Sequence, residues 1–542
     1  MRTALLAALL AGAAALPAHA QAPAAAPAKV APLRYTERTL ANGLRVYAIR
    51  DTDTANVSVQ VWYDVGSKDD PRGRSGFAHM FEHLMFKATR NLIPEQLDRL
   101  TEDVGGYNNA STADDYTNYY EVVPANHLQR LLFAEADRMA SLVVDPATFA
   151  SEREVVKEEL RSRVLAQPYG KLFYLYYPML SYSRHPYARP GIGSIADLDA
   201  ATIEDIRAFH ATYYRPDNAV LVVAGNFDPA QLDRWVDGYF ANIQRPNRPI
   251  PRVNVAEPMR TAAVTRTVYE PNTPLPAVLL SYPTPPSGHR DSAALTVLAA
   301  ILSRGDSSRL HQSLVYREAI AQDVGVFSED RQGPGSMAVY AILAGGKTAE
   351  AGEAALRREL AAVASAPVGA AELTEAKNEI VTGALLARET AEGKASTLAQ
   401  GVLIDRDPRA ADKQLAAIAR VTAADVQRVA RLYLADNRSA AIRYLPDTAR
   451  PAGAPADTIA LAPSVVTQPL ALPAGIAVVT PAPADQRIAA PDAGPPVAAR
   501  LPQPVESRLA NGMRVVLVEK HDLPIVSASL IVPSGTAADP QG

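Results

Sequence analysis

The run Gly76-Phe-Ala-His-Met-Phe-Glu-His-Leu-Met-Phe-Lys87 places two histidines and a glutamate inside an apolar segment. In a helix, His79 and His83 are about one turn apart, so both imidazoles project from the same face. Two neutral imidazoles on one face can bind a divalent metal, zinc above all. Glu82 directly precedes the second histidine, where its carboxylate can reach a water bound to that metal.

The alternative interpretation is a surface helix that carries two unrelated histidines. The chain has only 9 histidines in 542 residues, so a chance pair of this spacing with a glutamate inside it is rare. The apolar flanks predict a buried helix, and a buried charged side chain needs a partner or a metal. Those flanking residues are Phe77, Met80, Phe81, Leu84, Met85 and Phe86. Both features favour a metal site.

A third metal ligand is expected outside this motif, because catalytic zinc usually has three protein ligands and a water. Residues 146–166 have the pattern of a helix that Pro146 can start. Glu152 and Glu159 are seven residues apart, which places them on one face, two turns from each other. Taken alone, the segment is equally typical of a solvated helix with charges of both signs.

The His-x-x-Glu-His motif reverses the commoner His-Glu-x-x-His motif. Together with the segment Glu152-Arg-Glu-Val-Val-Lys-Glu-Glu159, it resembles the pitrilysin/insulinase family of zinc metallopeptidases. The resemblance implies that Glu159 is the third ligand of one zinc ion and that Glu152 supports the metal site from behind the ligands. Glu158 is the competing candidate; the match to the family segment and the face shared with Glu152 favour Glu159.

The segment Gly105-Gly-Tyr-Asn-Asn-Ala-Ser-Thr112 is similar to the family's approach to a substrate-binding edge strand. The resemblance implies that the backbone of Asn109 and Ala110 pairs with an extended peptide substrate, a form of strand addition. The residues alone predict a turn followed by a strand.

The irregular alternation of strand and helix patterns favours an α+β fold over a doubly wound sheet. The resemblance implies tandem two-layer sandwiches with mainly antiparallel sheets, as in processing peptidases. We predict a catalytic metallopeptidase domain at residues 34–247 and a second homologous α+β domain at residues 258–447. Helical patterns in the second domain span Ser292–Ser303, Ser308–Glu318, Ala349–Ser365 and Ala370–Glu392.

The second domain departs from the family at two positions. Val315 and Gln322 stand where the family has an arginine and a tyrosine that hold substrate and stabilise the oxyanion. One oxyanion donor typically lowers the barrier by about 3–4 kcal/mol. We therefore expect a second homologous half or subunit to supply this pair, and this chain alone to bind zinc but cleave weakly.

An internal repeat supports the idea of a second half. Leu40-Ala-Asn-Gly-Leu-Arg-Val46 recurs as Leu509-Ala-Asn-Gly-Met-Arg-Val515, and at the same offset Gly66 matches Gly535. The second copy stops before any counterpart of the metal motif. We expect residues 504–542 to be the truncated start of a third repeat domain, joined through an Ala/Pro-rich linker at residues 448–503.

The first 20 residues predict a secretory signal, with Arg2, a short apolar stretch and Ala18-His-Ala20 as a cleavage site. Residues 21–33 are expected to form a flexible lead-in. No later segment has the length of a stable membrane span, so the sequence predicts a periplasmic protein. The net charge of -4 and the absence of a basic stripe argue against nucleic acid as a partner. The lack of cysteine excludes thiolate ligands and cysteine nucleophiles.

These features predict a zinc-dependent endopeptidase that hydrolyses peptides or unfolded polypeptide segments with a metal-activated water. The alternative is a non-catalytic partner or scaffold subunit of a processing-peptidase-like pair, which the missing arginine and tyrosine favour. A periplasmic metal-buffering protein is a further alternative, although the chain has no histidine-rich tract.

Overall fold

Two β-sheets with the same strand order organise the chain. The computed structural model describes residues 30–454, 458–470, 473, 475–499 and 502–538. The predicted signal at residues 1–20 and most of the predicted lead-in at residues 21–33 lie outside the described residues. None of the helices in the described ranges is both long and apolar enough to cross a lipid bilayer.

The first unit has a six-stranded sheet in the order β1-β2-β6-β3-β5-β4. Its strands are β1 (Thr36–Thr39), β2 (Arg45–Arg50), β3 (Asn56–Tyr63), β4 (Tyr107–Thr112), β5 (Thr117–Pro124) and β6 (Ala219–Gly225). Its helices are α1 (Phe77–Leu84), α2 (Gln96–Glu102), α3 (Leu128–Ser141), α4 (Pro146–Glu159), α5 (Tyr177–Ser181), α6 (Ile195–Ala200), α7 (Ile203–Tyr213) and α8 (Pro229–Phe240).

The second unit has a five-stranded sheet in the order β7-β11-β8-β10-β9. Its strands are β7 (Val264–Glu270), β8 (Ala277–Thr284), β9 (Ala321–Ser328), β10 (Gly335–Leu343) and β11 (Ala440–Pro446). Its helices are α9 (Ser292–Ser303), α10 (Ala349–Ser365), α11 (Ala370–Ala387), α12 (Ala391–Ile404), α13 (Ala410–Arg420) and α14 (Ala423–Tyr433).

The two sheets are equivalent once β1 is set aside as an additional edge strand. In both, the first strand pairs in parallel with the last strand, and every other pairing is antiparallel. The predicted α+β class with mainly antiparallel sheets is therefore confirmed.

The central strand β3 is buried on both faces, which its alternating sequence does not indicate. Val57, Val59 and Val61 point into the main core of the first unit, as the alternation predicts. The polar residues between them are buried too. Gln60 Nε2 donates hydrogen bonds to the Glu392 carbonyl and to Ser396 Oγ, both from α12 of the second unit.

Each unit covers one face of the other unit's sheet. Leu398, Val402 and Leu403 of α12 pack against the first sheet in a buried cluster that includes Trp62 and Val222. In the opposite direction, Leu172, Tyr176 and Tyr177 of the first unit pack against Leu279 and Ile442 of the second sheet. Because both faces depend on this exchange, the two units are held together as one body.

Two helix boundaries in the second unit differ from the sequence prediction. The predicted helix Ala370–Glu392 is interrupted: α11 ends at Ala387, and Thr390 caps the start of α12 by accepting a hydrogen bond from the Gly393 amide. A side-chain cap satisfies an amide that a continuous helix would bond internally, so it starts a new helix. The predicted helix Ser308–Glu318 contains a π-helical segment, His311–Arg317.

The Ala/Pro-rich segment after the second unit runs back over the first unit in an extended conformation. Its backbone amides at Val466, Ala482 and Gly494 donate to carbonyl groups of Arg184, Arg90 and Asn126. Beyond it, β12 (Val505–Arg508) and β13 (Arg514–Leu517) form an antiparallel hairpin. Apolar side chains in this C-terminal region, such as Val526, are exposed.

The packing of α12 on the first sheet predicts that two leucines of the second unit contribute differently to the free energy of unfolding. Leu398 on α12 is 1% exposed and Leu386 on α11 is 51% exposed. We expect Leu398→Ala to lower the free energy of unfolding by about 2–5 kcal/mol, because it leaves a cavity against the first sheet. Leu386→Ala, the control, should change it by less than about 0.5 kcal/mol. Urea titration followed by circular dichroism measures both; equal effects would contradict the packing.

Candidate metal centre

The helix α1 carries two histidines and is fixed at its N-terminus by Asp70. The two carboxylate oxygens of Asp70 accept hydrogen bonds from the amides of Gly76 at 2.6 Å and Ala78 at 2.9 Å. Gly76 adopts φ 93°, and a side chain there would meet the Ile192 carbonyl at 2.9 Å, so glycine is required at this entry to the helix. Burial raises the pKa of Asp70 to about 7, although Arg189 opposes the rise.

The structure brings His79, His83 and Glu159 together where α1 packs against α4. Glu159 Oε2 lies 3.5 Å from His79 Nε2 and 3.3 Å from His83 Nε2. One ligand atom from each of the three residues lies within 4.8 Å of the other two. The imidazole rings stand perpendicular, with centroids 5.1 Å apart.

The donor set fits a single metal ion. Ligands at about 2.0–2.1 Å from a tetrahedral zinc are roughly 3.3 Å apart, close to the spacing from each histidine to Glu159. Burial lowers the pKa of His79 to about 4, whereas Glu152 and Glu159 outweigh burial and raise the pKa of His83. A metal ion would bind both imidazoles in their neutral form. Two imidazole nitrogens and a carboxylate oxygen form the donor set of many catalytic zinc sites.

Glu152 lies behind His83, on the side away from Glu159. Its Oε2 is 3.6 Å from His83 Nδ1, and its Oε1 is 3.0 Å from Lys87 Nζ. Burial alone would raise the pKa of Glu152, but His83 and Lys87 outweigh it and lower the pKa. A carboxylate in this position orients the imidazole and fixes which nitrogen faces the metal. The Nδ1 atom of His79 has no such partner among the described side chains.

Glu158 and Glu159 point in different directions. The Glu158 side chain is 68% exposed and pairs with Arg161 on the surface. Glu159 directs Oε2 to the histidines while its Oε1 lies 2.7 Å from Arg163 Nη1. The sequence reasoning missed Arg163 and Lys87. Arg163 could have been found from its position four residues after Glu159, because a glutamate and an arginine with this spacing are neighbours on a helix.

Glu82 lies on α1 beside the end of the edge strand β4. Burial raises its pKa above that of an ordinary carboxyl, whereas Thr112 and His83 counteract the rise. Glu82 is not one of the three clustered ligand residues. It is therefore free to accept a proton next to them.

Among the strands that the structure describes, β4 forms one edge of the first sheet and pairs only with β5. The Ala113 amide donates to the Tyr116 carbonyl across the hairpin. In the alternating antiparallel pattern, Asn109 then bonds to Tyr120, and Ala110 turns its N–H and C=O to the open edge. The open position is thus Ala110, whereas the backbone of Asn109 is used within the sheet. The Asn109 side chain accepts a hydrogen bond from the Ala110 amide at 2.8 Å.

The second unit has no counterpart of this cluster among the residues that the structure describes. Its helix α9 contains mainly alanine and leucine, without histidine. Val315 packs against the second core, and Gln322 is exposed on β9. The two positions at which the family carries arginine and tyrosine therefore hold an apolar residue and an uncharged amide.

The paired sheets and the His-x-x-Glu-His cluster define a class of metallopeptidase fold with an inverted zinc motif. Two family descriptions match the chain: "Insulinase (Peptidase family M16)" over residues 45–169 and "Peptidase M16 inactive domain" over residues 200–380. The chain is also 34% identical over 327 residues to "Zinc protease PqqE" of Helicobacter pylori, covering 60% of this chain and 72% of that protein. An uncharacterized zinc protease of Mycobacterium leprae is 30% identical over 408 residues, covering 74% of this chain and 90% of that protein. The chain belongs to the insulinase (M16) family of zinc metallopeptidases.

Solved structures agree with this fold. A protease from Helicobacter pylori matches with a TM-score of 0.74 at 30% identity, covering 77% of this chain and all (100%) of that one. The first half of the periplasmic protease PqqL from Escherichia coli matches with a TM-score of 0.64 at 17% identity, covering 77% of this chain and 93% of that one. The whole of PqqL matches with a TM-score of 0.65 at 18% identity, covering 91% of this chain and 56% of that chain.

Because Glu158 and Glu159 point in different directions, substitutions at the two positions should affect metal affinity differently. We expect Glu159→Gln to weaken zinc binding by more than about tenfold, because an amide oxygen is a poorer ligand than a carboxylate. The matched control Glu158→Gln should bind zinc like the unaltered chain. Competition with a chromophoric chelator measures both affinities, and a larger loss in the Glu158 variant would reverse the assignment.

Proposed function

We propose that the chain is a zinc-dependent endopeptidase that hydrolyses peptides or unfolded polypeptide segments. The observation that carries the proposal is the convergence of His79, His83 and Glu159 beside Glu82. The zinc-protease names of the relatives support the same activity. One zinc ion would be held by the two imidazoles and the Glu159 carboxylate.

A zinc ion held by His79, His83 and Glu159 would supply Lewis acidity for the scissile carbonyl and the attacking water. Glu82 accepts the proton of the attacking water and later donates it to the leaving amine. Its buried position favours this exchange, because a raised carboxyl pKa makes the protonated state accessible. Glu152 keeps the His83 ring oriented, and Arg163 holds the second oxygen of Glu159.

The open edge of β4 supports an extended substrate. The backbone groups of Ala110 face away from the sheet, where its amide donates to the Asn109 side chain. A peptide that displaces this side chain can add there as a further strand. Strand addition requires an extended backbone, which a folded protein rarely presents. The substrate class is therefore peptides and unfolded segments. Thr112, at the end of the same strand, lies beside Glu82.

A second homologous half or subunit would complete the site. Val315 and Gln322 offer neither the guanidinium nor the phenol that the family uses on the oxyanion, so these groups would come from that partner. The match of this chain to one half of a two-half protease supports the arrangement. Export to the periplasm, expected from the first 20 residues, is part of the same proposal.

The competing function is a non-catalytic partner or scaffold subunit. The substitutions at Val315 and Gln322 favour it, and the intact ligand set with Glu82 argues against it. Cleavage by this chain mixed with a homologous subunit that carries the arginine and tyrosine separates the two functions. A loss of cleavage when Glu82 is altered identifies this chain as the catalytic member.

In the mixture with a homologous subunit that carries the arginine and tyrosine, we expect Glu82→Gln to lower the cleavage rate of a quenched fluorescent peptide by about 100-fold or more, because glutamine cannot accept the proton of water. Zinc content should remain at about one ion per chain, since Glu82 is not a ligand. Glu158→Gln is the matched control and should cleave normally. Cleavage that survives the Glu82 change would exclude this residue as the general base.

Removal of the metal should also prevent the attack of water on the scissile carbonyl. Dialysis against a chelator should abolish peptide cleavage, and one equivalent of zinc should restore it, because carbonyl polarisation depends on the ion. The Glu82→Gln variant should stay inactive after zinc is restored. Full activity of the metal-free protein would contradict the proposed mechanism.

A further inference from the structure

The second unit forms an ion pair and a hydrogen bond with the tip of the β4–β5 hairpin. The tip consists of Asp114 and Asp115, between β4 and β5. Arg331, between β9 and β10, has a side chain only 6% exposed, and its Nη2 lies 2.5 Å from Asp114 Oδ2. The next residue, Gln332, donates its backbone amide to Asp115 Oδ2 at 2.9 Å.

Asp115 is itself buried in a polar network. Its Oδ1 accepts hydrogen bonds from Lys68 Nζ and from the Tyr187 hydroxyl, both at 2.6 Å. Lys68 Nζ also donates to Gln332 Oε1 at 2.8 Å, which closes a ring across the boundary between the units. Removing one member of such a buried network leaves the others unpaired, so the contact is costly to break.

The same tip is fixed from its other side by the chain that leads into α1. The amides of Ser67 and Lys68 donate to the carbonyls of Ala113 and Asp114 at 3.1 and 3.2 Å. A side chain on Gly66 would lie 2.4 Å from the Ala113 carbonyl, so the two backbones are in direct contact. Asp70, which holds the start of α1, follows two residues after Lys68.

We propose that Arg331 and Gln332 are positioning residues for the peptidase site. They fix the end of β4 nearest Glu82, so that a peptide paired with this strand lies at a defined distance from the general base. This role rests on the proposed binding of substrate to β4. The second unit thereby contributes to cleavage although it lacks metal ligands of its own among the described residues.

The physical reason is that an edge strand has ladder hydrogen bonds on one side only. Such a strand opens locally more easily than a central one, and its end opens first. A strand that is already ordered costs less to pair with a peptide than one that must first be immobilised. The ion pair between Arg331 and Asp114 lies next to the C-terminal end of β4. Local opening of the strand at this end would separate Thr112 from Glu82.

The experiment compares Arg331→Gln with the matched control Lys394→Gln. Lys394 Nζ, on α12, also forms an ion pair across the two units, 2.5 Å from Asp51 Oδ2, but it does not touch the hairpin. Hydrogen exchange by mass spectrometry follows peptides that cover residues 107–124 in the full chain. Zinc content is measured on this chain. The kcat and KM for a quenched fluorescent peptide are measured on its mixture with a homologous subunit that carries the arginine and tyrosine.

We expect Arg331→Gln to speed amide exchange in the hairpin by about tenfold or more, because the partly buried Asp114 loses the guanidinium that pairs with it. KM should rise by about fivefold or more with little change in kcat, since substrate docking is impaired rather than proton transfer. Zinc content should not change. The Lys394 control should leave hairpin exchange and KM unaltered. Asp114→Asn, a smaller change, should show the same effects more weakly and decides the result if the arginine variant does not fold.

Hairpin exchange that equals that of the unaltered chain in both Arg331→Gln and Asp114→Asn would overturn the proposal. Faster exchange with unchanged KM would also overturn it, since the ion pair would then have no bearing on substrate. If the unaltered, zinc-loaded chain and its partner half do not cleave, the proposed function fails by itself. Binding of the fluorescent peptide then replaces KM, and an affinity that Arg331→Gln does not weaken overturns the positioning role.

Discussion

Two imidazoles and a carboxylate converge in a partly buried site between α1 and α4, where their side chains are 12–22% exposed. Polar groups removed from water are unfavourable unless a partner compensates them, and a metal ion is the strongest partner available. The sequence meets this requirement with two helices. The helix α1 buries Phe77, Phe81 and Leu84 against the core while its histidines face α4. Asp70 fixes the start of α1, so the histidines have little freedom to separate.

The two units depend on each other for the same physical reason. Each sheet has its own helices on one face and would expose the other face, and each receives a cover from its neighbour. The second unit therefore has a structural task that needs no metal ligands. Its helix α9 contains no histidine, and the apolar side chains of α9 pack into the second core. Through Arg331 and Gln332 it also contacts the hairpin that carries the open edge strand.

Much of this could be predicted from the sequence, and the exceptions have physical causes. The spacing of His79 and His83 indicates a shared face because helical periodicity is local. The choice between Glu158 and Glu159 rested on the resemblance to a family and on the face that Glu159 shares with Glu152, and the packing of α4 against α1 shows the outcome. The burial of Gln60 could not be predicted from strand alternation, because its partner in α12 lies far along the chain. Arg331 was missed for the same reason.

The coordination of the metal shows whether His79, His83 and Glu159 bind one zinc ion together. X-ray absorption at the zinc edge reports the number and type of atoms bound to the ion in the purified chain. We expect four light ligands at about 2.0–2.1 Å, of which two are imidazoles, with the remaining oxygens from Glu159 and water. His83→Ala should remove one imidazole from the spectrum. A zinc shell without two imidazoles, or a spectrum that the His83 change leaves unaltered, would contradict the site.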